Sequence, residues 1–258
     1  MNESQFLLNL NRRQLLGRAL VGGVALSTFS GCTTTDYLLP AEAAPPVAYV
    51  SPVPLQPAPF DAAPVNIPPA EMYAAVTDGE FNLPAIPYKK IDPKYYRQAV
   101  SDPTGQAPGT LVVDTANRFL YLVLPFGDAI RYGVAIGKEG FAWSGSANIE
   151  RRAKWPTWTP PAEMIERDPK LAKYSAEHGG MPGGLKNPLG ARALYIYQNG
   201  VDTLYRLHGS PEWKSIGKKA SSGCVRLMNQ DIIDLHRRVP AKAPVVVLDE
   251  FSPLPITA

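Results

Sequence analysis

Cysteine is scarce in this chain: Cys32 and Cys224 are the only two among 258 residues. Histidine is nearly as scarce. His178, His208 and His236 are widely spaced and form no metal-ligand pattern, so no metal and no cofactor is expected. Long basic runs are missing too. No run of lysine or arginine exceeds two residues, the formal net charge is only +3, and no recognition-helix pattern is present, which excludes a nucleic-acid partner. The apolar stretch from Ala19 to Phe29 is too short to span a bilayer as a stable anchor.

What is present at the front reads as an export signal. Asn11-Arg12-Arg13-Gln14-Leu15-Leu16 places paired arginines before that apolar stretch, and no acidic residue follows until Asp36. Twin arginines followed by two leucines fit the twin-arginine route, and they fit equally the charged start of an ordinary signal. Phe29-Ser30-Gly31-Cys32 then resembles a bacterial lipobox, although Phe29 stands where leucine is usual. Residues 1–31 are therefore read as a lipoprotein-type signal peptide, with Cys32 as the lipidated residue. Cleavage after Ala41-Glu42-Ala43 is the alternative. One acyl chain would tether the mature protein to a membrane in the periplasm or cell envelope. It would also leave Cys224 with no cysteine partner, and an unpaired cysteine in an oxidising compartment points to reactivity.

Residues 32–70 form a Pro/Ala-rich linker, with proline at ten positions from 40 to 69, and should be extended and stiff. Residues 71–108 read as an extended N-terminal segment packing on the domain that follows. That domain covers 109–249, with a tail over 250–258. Within it, residues 110–114, 118–124 and 130–136 read as three strands of an antiparallel meander. Residues 138–160, rich in glycine, proline and tryptophan, read as a long irregular region. Asp168-Pro169 marks a helix start that Gly179-Gly180 stops, and the loop 180–184 reads as a flexible cover. Residues 192–198 and 202–207 form a hairpin across Asn199-Gly200, with His208 directly after it. Asn229 is expected to cap a helix running to about Val239, and 245–248 is a last buried strand. The fold class is mainly β, sandwich-like, with short helices.

The chemistry concentrates on Ser221-Ser222-Gly223-Cys224-Val225-Arg226 and on Leu207-His208-Gly209. A thiol is a poor nucleophile until a base takes its proton, and a rigidly placed imidazole suits that role. Gly223 permits a sharp turn, and backbone N–H groups there can face a developing oxyanion. Arg226 either steadies the loop or meets a substrate carboxylate.

His208-Gly209, Ile216-Gly217 and Ser221-Ser222-Gly223-Cys224-Val225-Arg226 together resemble the signature of the L,D-transpeptidases, the YkuD catalytic domain, over residues 109–249. The resemblance implies a cysteine nucleophile, Cys224, and a general base, His208, oriented by the backbone of Gly209. It implies a reaction on peptidoglycan stem peptides. Cys224 would attack the L-to-D bond of a tetrapeptide stem, release D-alanine and pass the acyl group to a diaminopimelate amine as a 3→3 cross-link. An outer-membrane protein amine, or water, is an alternative acceptor, and a non-catalytic peptidoglycan-binding lipoprotein is the alternative class. Many members carry a second histidine two residues before the cysteine, where this chain has Ser222; Ser222 and Gly223 are assigned to oxyanion support. Trp213 is a candidate pocket wall. Tyr195 and Tyr197 share a face, and Tyr197 is taken as the second wall.

Overall fold

The computed structural model describes residues 63–137, 145–220 and 224–248. The leader, Cys32, nearly all of the Pro/Ala-rich stretch, the tail, Ser222 and Gly223 lie outside the described residues. Among the described residues the strands are β1 (Val76–Asp78), β2 (Phe81–Leu83), β3 (Gln98–Ser101), β4 (Leu111–Asp114), β5 (Phe119–Val123), β6 (Asp128–Gly133), β7 (Ala135–Gly137), β8 (Gly145–Lys154), β9 (Arg192–Gln198), β10 (Val201–Ser210), β11 (Lys219–Ala220), β12 (Val225–Met228) and β13 (Pro244–Leu248). The α-helices are α1 (Pro69–Met72), α2 (Ala162–Arg167) and α3 (Asn229–Arg238), joined by short 3₁₀ turns. The protein is mainly β, as its alternating apolar runs require.

The meander forms as the pattern predicts: β4, β5 and β6 pair antiparallel in sequence order. The β4–β5 turn is held by Asp114, whose carboxylate accepts from the Asn117 backbone N–H and side-chain amide, each at 2.8 Å. The third strand does not run unbroken to residue 136. It breaks at Val134 into β6 and β7, and these lie near opposite ends of one sheet, ordered β11-β7-β12-β10-β9-β8-β13-β4-β5-β6-β3. Strands one residue apart in sequence can occupy opposite ends of that order only if the sheet folds over on itself. The fold thereby encloses the main core, to which Leu111, Leu122, Ile130, Ile149, Leu194 and Leu227 contribute.

Part of the stretch read as irregular is a strand. β8 spans ten residues and pairs antiparallel with β13 on one side and β9 on the other. Only Ala147 and Ile149 are buried in it, and six of the other eight residues are polar or charged, so the apolar alternation was too weak to register. The Asn-Gly hairpin forms as predicted, with positive φ at Asn199 (52°) and Gly200 (76°). Its second strand runs further than predicted, from Val201 to Ser210, because β12 pairs in parallel with residues 207–210 and carries the strand past His208.

Three local expectations are corrected. Asn229 does not cap α3: it is the first helical residue, and its Oδ1 accepts from the backbone N–H of Ala191 at 2.9 Å instead. The loop after Gly180 is pinned, because Asn187 donates from its amide to the carbonyls of Pro156, Met181 and Pro182. Asp168 does cap, but it caps the 3₁₀ turn Pro169–Tyr174 rather than an α-helix. The apolar side of α3, Ile232, Leu235 and Val239, enters the main core beside β9, β10 and β12.

The segment before β4 packs on this body. Met72, Tyr73, Ile86, Ile91 and Tyr95 join Ala135, Ile216 and Met228 in a second cluster, and β3 extends the meander beside β6. The β1–β2 hairpin is clamped by Asp78. Its carboxylate takes two bonds from Arg192, at 2.6 and 2.7 Å, and one from the Trp155 indole at 2.8 Å.

Candidate active site

Parallel pairing of β10 and β12 sets the site. Leu207 lies opposite Val225, and His208 opposite Arg226. Leu207 and Val225 point into the main core. Side chains alternate along a strand, so His208 and Arg226 stand on the other face, and Cys224 is the residue directly before β12, two positions ahead of Arg226. One strand spacing and two residues of rise put His208 and Cys224 about 8 Å apart at Cα, a gap their side chains can bridge. Cys224 is half-buried at the edge of the site, and its carbonyl accepts from the N–H of Gly137 at 3.3 Å.

His208 is only 3% exposed. Its Nδ1 donates to the carbonyl of Gly209 at 2.5 Å. A carbonyl only accepts, so Nδ1 carries the proton and the lone pair of the neutral ring is on Nε2. Burial pushes the imidazole down to about 4, and the cations of Arg226 and Arg206 push the same way, against the carbonyls of Gly209 and Pro188. The ring is therefore neutral at pH 7 and able to accept a proton. Gly209 also admits α3. A methyl group on it would lie 2.4 Å from Asn229 Oδ1 and 2.8 Å from Ile232 Cγ2, so the helix packs against bare backbone beside His208.

A buried neutral imidazole on β10 and a half-buried cysteine just before the neighbouring β12 are residue types that thiol acyl transfer uses. Residues 108–247, more than half of the chain, match the YkuD family, the L,D-transpeptidase catalytic domain. This chain belongs to that family. The probable L,D-transpeptidase YbiS of Escherichia coli K12 is 34% identical over 154 residues, covering 54% of this chain and 44% of its own. The probable L,D-transpeptidase ErfK/SrfK of the same organism is 31% identical over 147 residues, with the same coverage. The chain thus spans less than half the length of these relatives. Among solved structures, a probable carnitine operon oxidoreductase from Brucella melitensis is 46% identical, covering 63% of this chain and 99% of its own, with a TM-score of 0.43, too low to carry an argument.

Within this L,D-transpeptidase domain the other candidate residues are dispersed. Trp213 sits in the 3₁₀ turn Trp213–Ser215 and lines a cavity of about 410 Å³ with Ile91, Tyr95 and Ile216; neither His208 nor Cys224 lines it. Tyr197 lies four residues along β9 from Ala193, the partner of His208, a distance of about 13 Å. Tyr195 stands nearer, opposite Arg206. Arg206 escaped the sequence reading, and Tyr195 was passed over for Tyr197, because their pairing depends on a register shift between Asp202 and Arg206, which a propensity pattern does not reveal. Among the described residues no three histidine, cysteine, aspartate or glutamate side chains converge as metal ligands, and no helix is long and apolar enough to cross a membrane.

Proposed function

We propose that this chain is an exported, lipid-anchored peptidoglycan L,D-transpeptidase that uses Cys224 as nucleophile and His208 as general base. What supports the reading is the parallel pairing that sets β12, which begins directly after Cys224, beside His208, with Nδ1 of His208 committed to the Gly209 carbonyl. In the proposed reaction Nε2 takes the thiol proton as the sulfur attacks the carbonyl carbon of the diamino acid in a tetrapeptide stem. Backbone N–H groups around Ser222, Gly223 and Cys224 hold the oxyanion. The C–N bond to D-alanine breaks, the imidazolium returns its proton to the leaving amine, and a thioester remains. An amine of a second stem then attacks, His208 takes the amine proton, and the C–S bond breaks to give a 3→3 link. Arg226, beside His208 on the same face, meets a substrate carboxylate. Acylation of Cys32 would hold the domain at a membrane in the envelope.

Two measurements test this. A carbapenem offers a strained amide to the thiol. One adduct mass is expected on the wild-type protein and none on Cys224→Ala. Cell walls from a strain carrying Cys224→Ala should lose 3→3 dimers. Loss of protein-linked stems instead would redirect the acceptor, and an unchanged profile together with no adduct would sink the enzyme assignment.

A further inference from the structure

We infer that Arg206, Tyr195 and Arg151 form a subsite for a carboxylate of the donor stem, laid across the sheet from Cys224; this deepens the transpeptidase reading and rests on it. Arg206 of β10 is opposite Tyr195 of β9, and Tyr195 is opposite Arg151 of β8. The β10–β12 pairing begins at Leu207 and Val225, so Cys224 and Arg206 are the residues directly before that first pair on each strand. Arg206, Tyr195 and Arg151 make one cross-strand row on the face that carries His208, and Cys224 extends it by one strand. The row is three strand spacings long, about 14 Å.

Tyr195 is held between two guanidinium groups. The Arg151 Cζ lies 4.3 Å from its ring centroid and that of Arg206 lies 4.8 Å away. The backbone is bent to achieve this: β8 shifts register between Ile149 and Arg151, and β10 shifts between Asp202 and Arg206, so both strands flanking Tyr195 are irregular beside it. Such irregularities re-aim side chains and recur near binding sites. Arg206 is bridged by Asp202 at 3.3 Å. Arg151 is exposed, and among the described residues its one recorded interaction is the Tyr195 ring. Two cations thus share one ring, and among the described residues Asp202 is the carboxylate recorded on either of them. A guanidinium held over a ring can still offer its planar N–H fork to a carboxylate.

A peptidoglycan donor supplies that group. The α-carboxylate of a γ-linked glutamate is seven bonds from the reacting carbonyl of the next residue, about 9 Å when extended. With that carbonyl at Cys224, the carboxylate falls between Arg206 and Arg151.

The test uses the Cys224→Ala protein, so that binding is read without turnover. Two synthetic tetrapeptide donors are titrated calorimetrically, one with the glutamate α-carboxylate and one with its amide. The carboxylate donor is expected to bind about tenfold or more tightly. Adding Arg151→Gln or Arg206→Gln should erase the preference by weakening the carboxylate donor alone, and Arg151→Lys should restore part of it. Equal binding of both donors, no binding of either, or equal weakening of both by the arginine substitutions would overturn the subsite. The carbapenem adduct on the wild-type protein is read separately. An adduct without carboxylate preference sinks the subsite and spares the enzyme assignment; carboxylate preference with neither an adduct nor a changed cell-wall profile does the reverse.

Discussion

His208 differs from a histidine that stores a thiolate. An imidazolium–thiolate pair persists at neutral pH only if the ring holds its proton there, and burial plus two neighbouring arginines hold this ring down at about 4. The resting ring is therefore a neutral imidazole that stores no ion pair, and in the proposed reaction the proton moves as the sulfur attacks. Two outcomes follow. Alkylation of Cys224 by iodoacetamide should climb with pH above neutrality, whereas a preformed ion pair would give a plateau from about pH 5 to 8. The acid limb of kcat/KM should lie near pH 4 instead of near 6.5, since activity is lost only once the ring protonates. Arg226→Gln removes one cation and should move that limb upward. His208→Ala should slow neutral-pH acylation by about 10²–10⁴-fold, the range for loss of a general base. A flat alkylation profile would contradict the neutral pair. The histidine and the cysteine were legible because both lie in compact motifs whose residue types serve one chemistry. Arg206 and Tyr195 carry no such signal, since only pairing across strands brings them beside the site.

At the scale of elements, local pattern succeeded where one strand's own residues determine its state and failed where a neighbour does. The β4–β5 turn and the Asn-Gly hairpin were predictable because Asp114, Asn199 and Gly200 act within a few residues. The break at Val134 was not, because the chain there leaves one end of the sheet for the other while keeping its apolar pattern. β8 was missed because a strand flanked by two others needs few apolar residues of its own. Asn229 was misread because the Ala191 N–H outcompetes the helix terminus for its side chain. The contact between α3 and β10 gives a prediction at this scale. Gly209→Ala drives a methyl group into Asn229 and Ile232, so helix and strand must separate. A loss of about 1–3 kcal/mol in denaturant melts is expected, typical of overpacking, with slower carbapenem acylation as His208 shifts. Gly200→Ala is the control. Nothing lies within 4 Å of a methyl group there, and its φ of +76° carries the cost. It should lose about 1 kcal/mol and keep the wild-type acylation rate.

Across the whole molecule, the segment before β4 is tied to α3 through buried charge. Tyr132 donates to Asp234 at 2.8 Å, Arg238 donates twice to Asp234 at 2.9 and 3.0 Å, and Arg97 sits 3.3 Å from Asp234 and 3.6 Å from Asp231. Tyr73 accepts from the Arg97 backbone and donates to Asp231. The two aspartates behave oppositely. Burial raises both, but at Asp234 the arginines outweigh it and hold the carboxyl below its usual range. At Asp231 burial and the neighbouring Asp234 prevail over Arg97, and the carboxyl rises to about 7. Asp234→Asn should cost about 3–5 kcal/mol, because Arg97 and Arg238 lose their shared counter-ion in the interior. For Asp231→Asn the sign depends on pH. A raised carboxyl pKa contributes stability that is complete below about 4 and lost as pH climbs through about 7. Asparagine stays neutral throughout, so the variant should gain on the wild type between pH 4 and pH 8, by a few kcal/mol. His208 and His236, both held down at about 4, act in the other direction, losing stability as pH falls from about 6.5. In the wild type Asp231 offsets part of that loss. The Asp231→Asn protein should therefore unfold more steeply on acidification from pH 7 to pH 4. Parallel stability–pH curves for the two proteins, measured by denaturant melts, would mean that Asp231 is ionised in the fold and that Arg97 alone neutralises it.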